Sequence, residues 1–266
     1  MSKTFKEILF AFRDELTELV DEELYGEYDY YISDSSEGKV LAVVLPLDES
    51  EGVLISTLED LGLMYIGTRE SRPEDWLRNI VTEPFEMIPD VIVDPGDHEL
   101  RVPSGKIVLK IPQGLAFGTG LHQTTKMCAL FLKKYLYPGM DVLDLGCGSG
   151  ILAILSKKLG ARRVVAVDND PLAVEVAKEN ALRNNVDVDV RQSELFSNVE
   201  GQFDIIVSNI VAEVLVEALK EAKRFLKPNG LVILSGIITQ KLYLFEGYKI
   251  VDQMVMDEWS ALVIEI

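Results

Sequence analysis

Apolar positions along this chain of 266 residues switch repeatedly between a period of two and a period near 3.6, the mark of alternating strands and helices. In the C-terminal two thirds the alternation is regular. Short apolar runs at 141–145, 163–168, 187–191, 204–208 and 231–235 read as strands buried on both faces. Between them, 151–159, 171–184 and 212–225 carry apolar residues at helical spacing. Pro171 suits a first helical turn behind the polar Asn169-Asp170. Lys227-Pro228-Asn229-Gly230 reads as a turn before the next strand. Residues 248–256 and 259–266 add two strands around Asp257-Glu258. The pattern predicts an α/β domain with five parallel strands and a terminal hairpin.

The first 70 or so residues have another rhythm. Residues 5–12 read as a strand, and 14–24 as a helix through Leu16, Leu19, Val20 and Leu24. Residues 28–33 and 39–47 form a strand pair joined by Asp34-Ser35-Ser36-Glu37-Gly38. Ser50 is placed to cap a helix that Gly62 ends, and 64–68 makes a last strand. The order β-α-β-β-α-β predicts a small ferredoxin-like α+β domain over 1–68. Residues 69–82, charged and carrying Pro73 and Trp76, read as a linker helix. From 83 the chain is strand-like but broken by Pro84, Pro89, Pro95 and Pro103. That stretch is a β-extension into the second domain, 83–266.

Candidate chemistry concentrates after the first core strand, in Asp144-Leu145-Gly146-Cys147-Gly148-Ser149-Gly150, with Asp168 ending the second strand. Strand, glycine turn, helix, strand and acid together describe a site for an adenosine-containing cofactor. A dinucleotide fingerprint spaces its glycines G-x-G-x-x-G and seats a pyrophosphate on the helix N-terminus. Here the spacing is G-x-G-x-G. It resembles the first motif of the Rossmann-like S-adenosylmethionine (SAM) methyltransferases, whose cofactor lacks a phosphate and lies against bare backbone. Gly146, Gly148 and Gly150 would form that cradle, and Asp168 would accept hydrogen bonds from the ribose hydroxyls. The alternative is an ordinary tight strand-to-helix turn.

Two further segments fall in place around it. Residues 114–125, Gly-Leu-Ala-Phe-Gly-Thr-Gly-Leu-His-Gln-Thr-Thr, are too glycine-rich for core. They read either as a cover for a small ligand, with Phe117 over the cofactor and Thr125 bonded to its methionine end, or as a connector with a helix cap. Asn209, in Ser208-Asn209-Ile210-Val211-Ala212, ends the fourth strand, where open parallel sheets bind ligands. Its amide oxygen can orient an incoming neutral amine, or its side chain can cap the next helix. His122 is a candidate base, though a lone loop histidine is more often structural. Asp144 is expected to order the glycine turn. Asp168 and Asp170 lack a third oxygen ligand, so no metal is expected.

Composition narrows the class. The net charge of −18, from 26 basic and 44 acidic residues, repels a phosphate backbone and attracts a basic partner. Stable nucleic-acid binding is therefore not expected. No apolar stretch reaches the roughly 20 residues of a membrane span. Two cysteines, Cys128 and Cys147, suggest no disulfide framework, and a reducing cytoplasm is the expected location. A monomer is the default expectation.

Taken together the segments resemble the bacterial methyltransferases of large-subunit ribosomal protein L11. That family carries a G-L-A-F-G-T-G-x-H-x-T-T loop, a D-x-G-C-G-S-G turn, a D-x-D after the second strand and an N-I-x-A after the fourth. All four stand here, at 114–125, 144–150, 168–170 and 209–212. Departures occur at Pro112-Gln113, where the family often has Asp-Pro, and at Leu121 and Gln123 beside the loop histidine. The resemblance implies the seven-stranded SAM methyltransferase sheet, a small N-terminal substrate-recognition domain, and cofactor positions at Thr125, Gly146, Asp168 and Asn209. The implied reaction is methyl transfer from SAM to lysine side chains and an N-terminal α-amine of L11. The runner-up is methylation of another basic protein, or of an exocyclic amine of RNA or DNA. After Asn209 the chain lacks the prolines and the aromatic that would stack on a base. A nicotinamide-dependent oxidoreductase is disfavoured by the glycine spacing and the terminal hairpin. A non-catalytic SAM-binding module would share the same binding residues.

Overall fold

The computed structural model describes residues 5–24, 28–35, 38–71, 81–96, 98, 100–102, 104–112 and 118–266. The chain divides into two compact units, Met1–Ile80 and Val81–Ile266.

In the first unit, β1 (Phe5–Phe12) buries Ile8, Phe10 and Phe12 on one face and Glu7 on the other. A 3-10 turn at Asp14–Leu16 leads into α1 (Thr17–Leu24), which adds Val20 and Leu24 to the same core. Then come β2 (Asp29–Ser35), β3 (Gly38–Pro46), α2 (Gly52–Asp60) and β4 (Met64–Ser71). The sheet order is β2-β3-β1-β4 with every neighbour antiparallel. This is the ferredoxin-like order, in which two βα pairs interleave. The helix expected to start at Ser50 is instead capped at Glu51, with no side-chain hydrogen bond, so Ser50 is not its cap. The last strand runs past residue 68 to Ser71, because Arg69 pairs across the sheet with Glu7. Its guanidinium meets the buried Glu7 carboxylate at 2.6 Å, and Tyr31 Oη donates to the same carboxylate at 3.0 Å. Residues 69–71 are therefore strand, not linker. The rest of the expected linker helix, up to residue 80, lies outside the described residues.

The second unit opens with a small sheet of β5 (Phe85–Ile88), β6 (Val91–Asp94) and β7 (Ile107–Lys110). The main sheet follows: α3 (Gln123–Tyr135), β8 (Asp141–Leu145), α4 (Ile151–Lys158), β9 (Arg163–Asp168), α5 (Pro171–Arg183), β10 (Asp189–Gln192), β11 (Phe203–Asn209), α6 (Ala212–Phe225), β12 (Leu226–Ile238), β13 (Lys249–Met256) and β14 (Trp259–Glu265). Its order is β10-β9-β8-β11-β12-β14-β13. The first five strands run parallel, and β14 pairs antiparallel with both β12 and β13. The period of two sorts each strand onto two cores. Val142, Ala166, Val207 and Val263 pack with the α3–α4 side, while Leu143, Val165, Ile206 and Leu262 pack with α6. Covering both faces is what lets these strands be apolar throughout.

The expected turn at 227–230 is an excursion inside β12. Phe203 pairs with Leu226 and Ile205 with Leu231, so the intervening residues bulge out, with Asn229 at φ 64°. The excursion brings Lys227 Nζ to 2.7 Å from both Asp141 and Asp204. Arg162 completes the cluster on Asp141 at 2.5 Å. It gathers at the amino ends of β8, β9 and β11, the edge of the sheet away from the candidate site.

Candidate active site at the carboxyl ends of the central strands

From β8 the chain passes outward through β9 and β10, then returns to lay β11 on the other side of β8. The carboxyl ends of β8 and β11 thus diverge at a topological switch point, where α/β sheets open a crevice. The glycine turn builds one wall. Gly146, Gly148 and Gly150 have φ of 74°, 52° and 78°, a left-handed region that side chains strain. The Gly146 and Cys147 amides both donate to the Val167 carbonyl, at 2.8 and 3.0 Å. A Cβ on Gly146 would stand 2.5 Å from Ile210 Cγ2, so the turn approaches the β11–α6 connection as closely as bare backbone allows.

Two carboxylates hold this turn. Asp144 is buried, and its Oδ2 accepts from the Ala153 amide in α4 at 2.9 Å, while Oδ1 has no hydrogen-bond partner. Burial pushes its pKa up to about 7, against the pull of that amide and with a further push from Asp168. Asp168 Oδ2 accepts from the Gly148 amide at 2.8 Å, and Oδ1 from the Asp170 amide at 3.1 Å. Each carboxylate oxygen offers two acceptor positions, so Asp168 retains acceptor capacity on both. Asp170 is occupied as the N-cap of α5, receiving the Leu172 amide at 2.8 Å.

Asn209 and Thr125 build the opposite wall. Asn209 Nδ2 donates to Thr125 Oγ1 at 3.3 Å, and Asn209 Oδ1 is buried with no hydrogen-bond partner among the described residues. The N-cap of α6 is Val211, so the capping reading of Asn209 does not hold. His122 caps α3 instead, accepting from the Thr124 amide, and its ring meets Trp259 edge-on at 5.0 Å. Burial depresses its pKa. His98, the other histidine, pairs with buried Asp94 at 2.6 Å. Among the described residues no three potential ligands gather for a metal, and no described helix is long and apolar enough to cross a membrane.

The cleft between the walls is lined by Thr125, Gly146, Gly148 and Asn209, all singled out in the sequence, with Gly118, Cys147, Ile151 and Leu152. Gly150 does not line it. Gly150 starts α4 and abuts α5, where a Cβ would stand 3.1 Å from Ala177 Cβ. Asp168 acts on the cleft through Gly148. Phe117 lies outside the described residues. Ile151 and Leu152 carry no signal of the site in the sequence, because an apolar residue opening a helix reads as core. Among the described residues lining the cleft there is no lysine or arginine to pair with a pyrophosphate. A bare-backbone cradle, apolar walls, an acceptor-rich carboxylate and an unsatisfied amide oxygen fit a cationic, phosphate-free nucleoside such as SAM.

Comparison with known proteins agrees. The family described as ribosomal protein L11 methyltransferase (PrmA) matches residues 12–266. The ribosomal protein L11 methyltransferases of Thermosipho africanus and Thermosipho melanesiensis are 53% and 50% identical, each over 100% of both chains. The crystal structure of ribosomal protein L11 methylase from Lactobacillus delbrueckii subsp. bulgaricus superposes with a TM-score of 0.64 at 32% identity, covering 69% of this chain and 98% of that one. Motifs, sheet order and near full-length identity converge: the chain belongs to the ribosomal protein L11 methyltransferase family.

Proposed function

We propose that this enzyme transfers methyl groups from SAM to amines of ribosomal protein L11, at lysine side chains and the N-terminal α-amine. The observation that carries the reading is Asn209 Oδ1, a buried acceptor with no partner in the wall of the switch-point cleft. An acceptor left so is costly unless a ligand completes it, and a neutral amine is a donor that does so.

Each residue then has a task. Gly146 and Gly148 present backbone to the adenosine side, Asp168 holds the ribose hydroxyls, and Thr125 bonds the methionine end. By its place in the glycine-rich loop of the sequence, Phe117 is the residue proposed to cover the cofactor. SAM supplies a methyl group already activated on a sulfonium, so placement and desolvation dominate the protein's contribution. A lysine begins near pKa 10.4, and entry into a cleft walled by Ile151, Leu152 and Cys147 lowers it by disfavouring the charged form. Asn209 accepts a hydrogen bond from the neutral amine and aims its lone pair in line with the departing bond. The proton leaves to water. His122 is not the base in this scheme, since its Nδ1 serves the helix cap.

The small N-terminal unit serves substrate recognition, and the net charge of −18 favours a basic ribosomal protein over nucleic acid. Two free buried cysteines fit the cytoplasm. A monomer suffices, since one chain carries both walls of the cleft. The test is mass spectrometry of unmethylated L11 after incubation with the enzyme and SAM. Methyl-sized increments on amines are expected. No increment, with SAM binding intact by calorimetry, would discard L11 as substrate and leave the cofactor site standing.

A further inference from the structure

We infer that Ser149, Asn180 and Asn184 are positioning residues for donor binding, linked in a buried hydrogen-bond relay that sets Gly118 against the glycine turn. The inference rests on reading the switch-point cleft as the SAM site.

The relay starts behind the site. Asn184, which ends α5, pairs with Lys110 of β7 as a neighbouring strand would. The Lys110 amide donates to Asn184 Oδ1 at 2.8 Å, and Asn184 Nδ2 donates back to the Lys110 carbonyl at 2.7 Å. The same Nδ2 donates to the Asn180 carbonyl at 2.8 Å. One helical turn earlier, Asn180 Nδ2 donates to the Ser149 carbonyl at 2.9 Å. Ser149 Oγ then donates to the Gly118 carbonyl at 2.6 Å and accepts from the Ile151 amide at 3.3 Å. Ser149, Asn180 and Asn184 are 2%, 3% and 5% exposed. In such a setting each bond is hard to replace by water.

Gly118 lines the cleft, as do Gly146 and Gly148 on the turn that contains Ser149. The fit is tight, since a Cβ on Gly118 would stand 3.1 Å from Ser149 Oγ. Ser149 thus ties one lining residue to the segment carrying Gly146, Cys147 and Gly148, and Asn180 anchors Ser149 to α5. Among the described residues the side-chain hydrogen bonds of the three do not run to Asn209 or Thr125, which belong to β11 and α3 and bond each other. The relay therefore governs how well the cleft grips the donor, and leaves the orientation of the amine to other elements.

That separation gives the test. Ser149→Ala should raise the SAM dissociation constant and KM roughly tenfold, the 1.4 kcal/mol expected for one lost buried hydrogen bond. Turnover at saturating SAM should stay within about twofold. Asn180→Ala should do the same, and the double variant should be no worse than the weaker single one, because both remove one anchorage. If Asn180→Ala does not fold, Ser149→Ala decides alone. A lower thermal midpoint with unchanged KM for SAM would assign a purely structural role and overturn the inference. Fully additive effects would overturn the relay. Failure of the unaltered enzyme to bind SAM would instead overturn the site reading, and this inference with it.

Discussion

Asn209→Ala separates stability from function most sharply. In the free enzyme the Asn209 side chain holds one long hydrogen bond, Nδ2 to Thr125 Oγ1 at 3.3 Å, and one buried oxygen with no partner. The bond contributes about 0.5–1.5 kcal/mol, whereas the orphaned acceptor costs about 1–3 kcal/mol. Truncation removes both. Thr125 keeps a hydroxyl free to rotate, and the lost atoms lined the cleft, so the space they leave joins it rather than forming a separate cavity. The balance runs from about 0.5 kcal/mol of lost stability to about 2.5 kcal/mol of added stability for the variant. For a unit of this size 1 kcal/mol shifts the midpoint by about 2–4 °C, so the gain reaches roughly 10 °C at most. Methyl transfer should move the other way, falling about a hundredfold as the amine loses its orientation. Differential scanning calorimetry of the free enzyme, paired with methyl transfer to L11, reads both. A midpoint lowered by several degrees would refute the orphaned-acceptor argument. Undiminished turnover would refute the role of Asn209.

Three further outcomes follow from the same geometry. Asp168→Ala should weaken SAM binding about 10- to 100-fold, the worth of one or two charge-assisted hydrogen bonds; calorimetric titration measures it, and normal affinity would remove Asp168 from the site. Gly146→Ala combines a left-handed residue, costing about 1–2 kcal/mol, with a methyl pressed against Ile210, about 1–3 kcal/mol more, so urea unfolding should show a lower midpoint and titration a weaker hold on SAM. Hydrogen bonds from Arg162 hold Asp141 below the usual carboxylate range, overcoming burial, with Lys227 adding to the effect. A depressed folded-state pKa stabilises above the unfolded value near 3.9 and is lost as pH falls through the folded one. Asp141→Asn should therefore be less stable at pH 7, the gap to the parent closing below about pH 4; a pH-independent gap in urea unfolding would contradict this.

Much of this architecture is legible in the sequence, for identifiable reasons. Helix α6 matches its expected limits because its apolar stripe is clean and Phe225 leads straight into a β run. Strands β8 and β9 do so because glycine and acid punctuate them. The edge strand β10 begins two residues later than expected, since Val-Asp-Val-Asp-Val alternates equally well in either register. Strand β4 is longer than expected because the exposed Arg69 pairs with the buried Glu7 carboxylate, which makes polar residues belong to a sheet. At the site, special backbone was readable and helpers were not. Gly146 and Gly148 announce themselves by spacing. Asn180 and Asn184 look like ordinary polar helix residues, and only the fold shows that their amides face inward onto Lys110 and Ser149.

The strand order β9-β8-β11-β12 also sets a timetable for assembly. The glycine turn at 146–150 needs β8, α4, β9 and α5, all neighbours along the chain. Its facing wall needs Asn209, which arrives only when β11 docks beside β8 across some 60 residues of intervening chain. Contacts of that separation close late, after their loop entropy has been overcome. During synthesis, then, a chain that has emerged only as far as β10 carries a finished cradle and, opposite it, Thr125 without Asn209. Competence to bind the donor becomes a report that the centre of the sheet has closed.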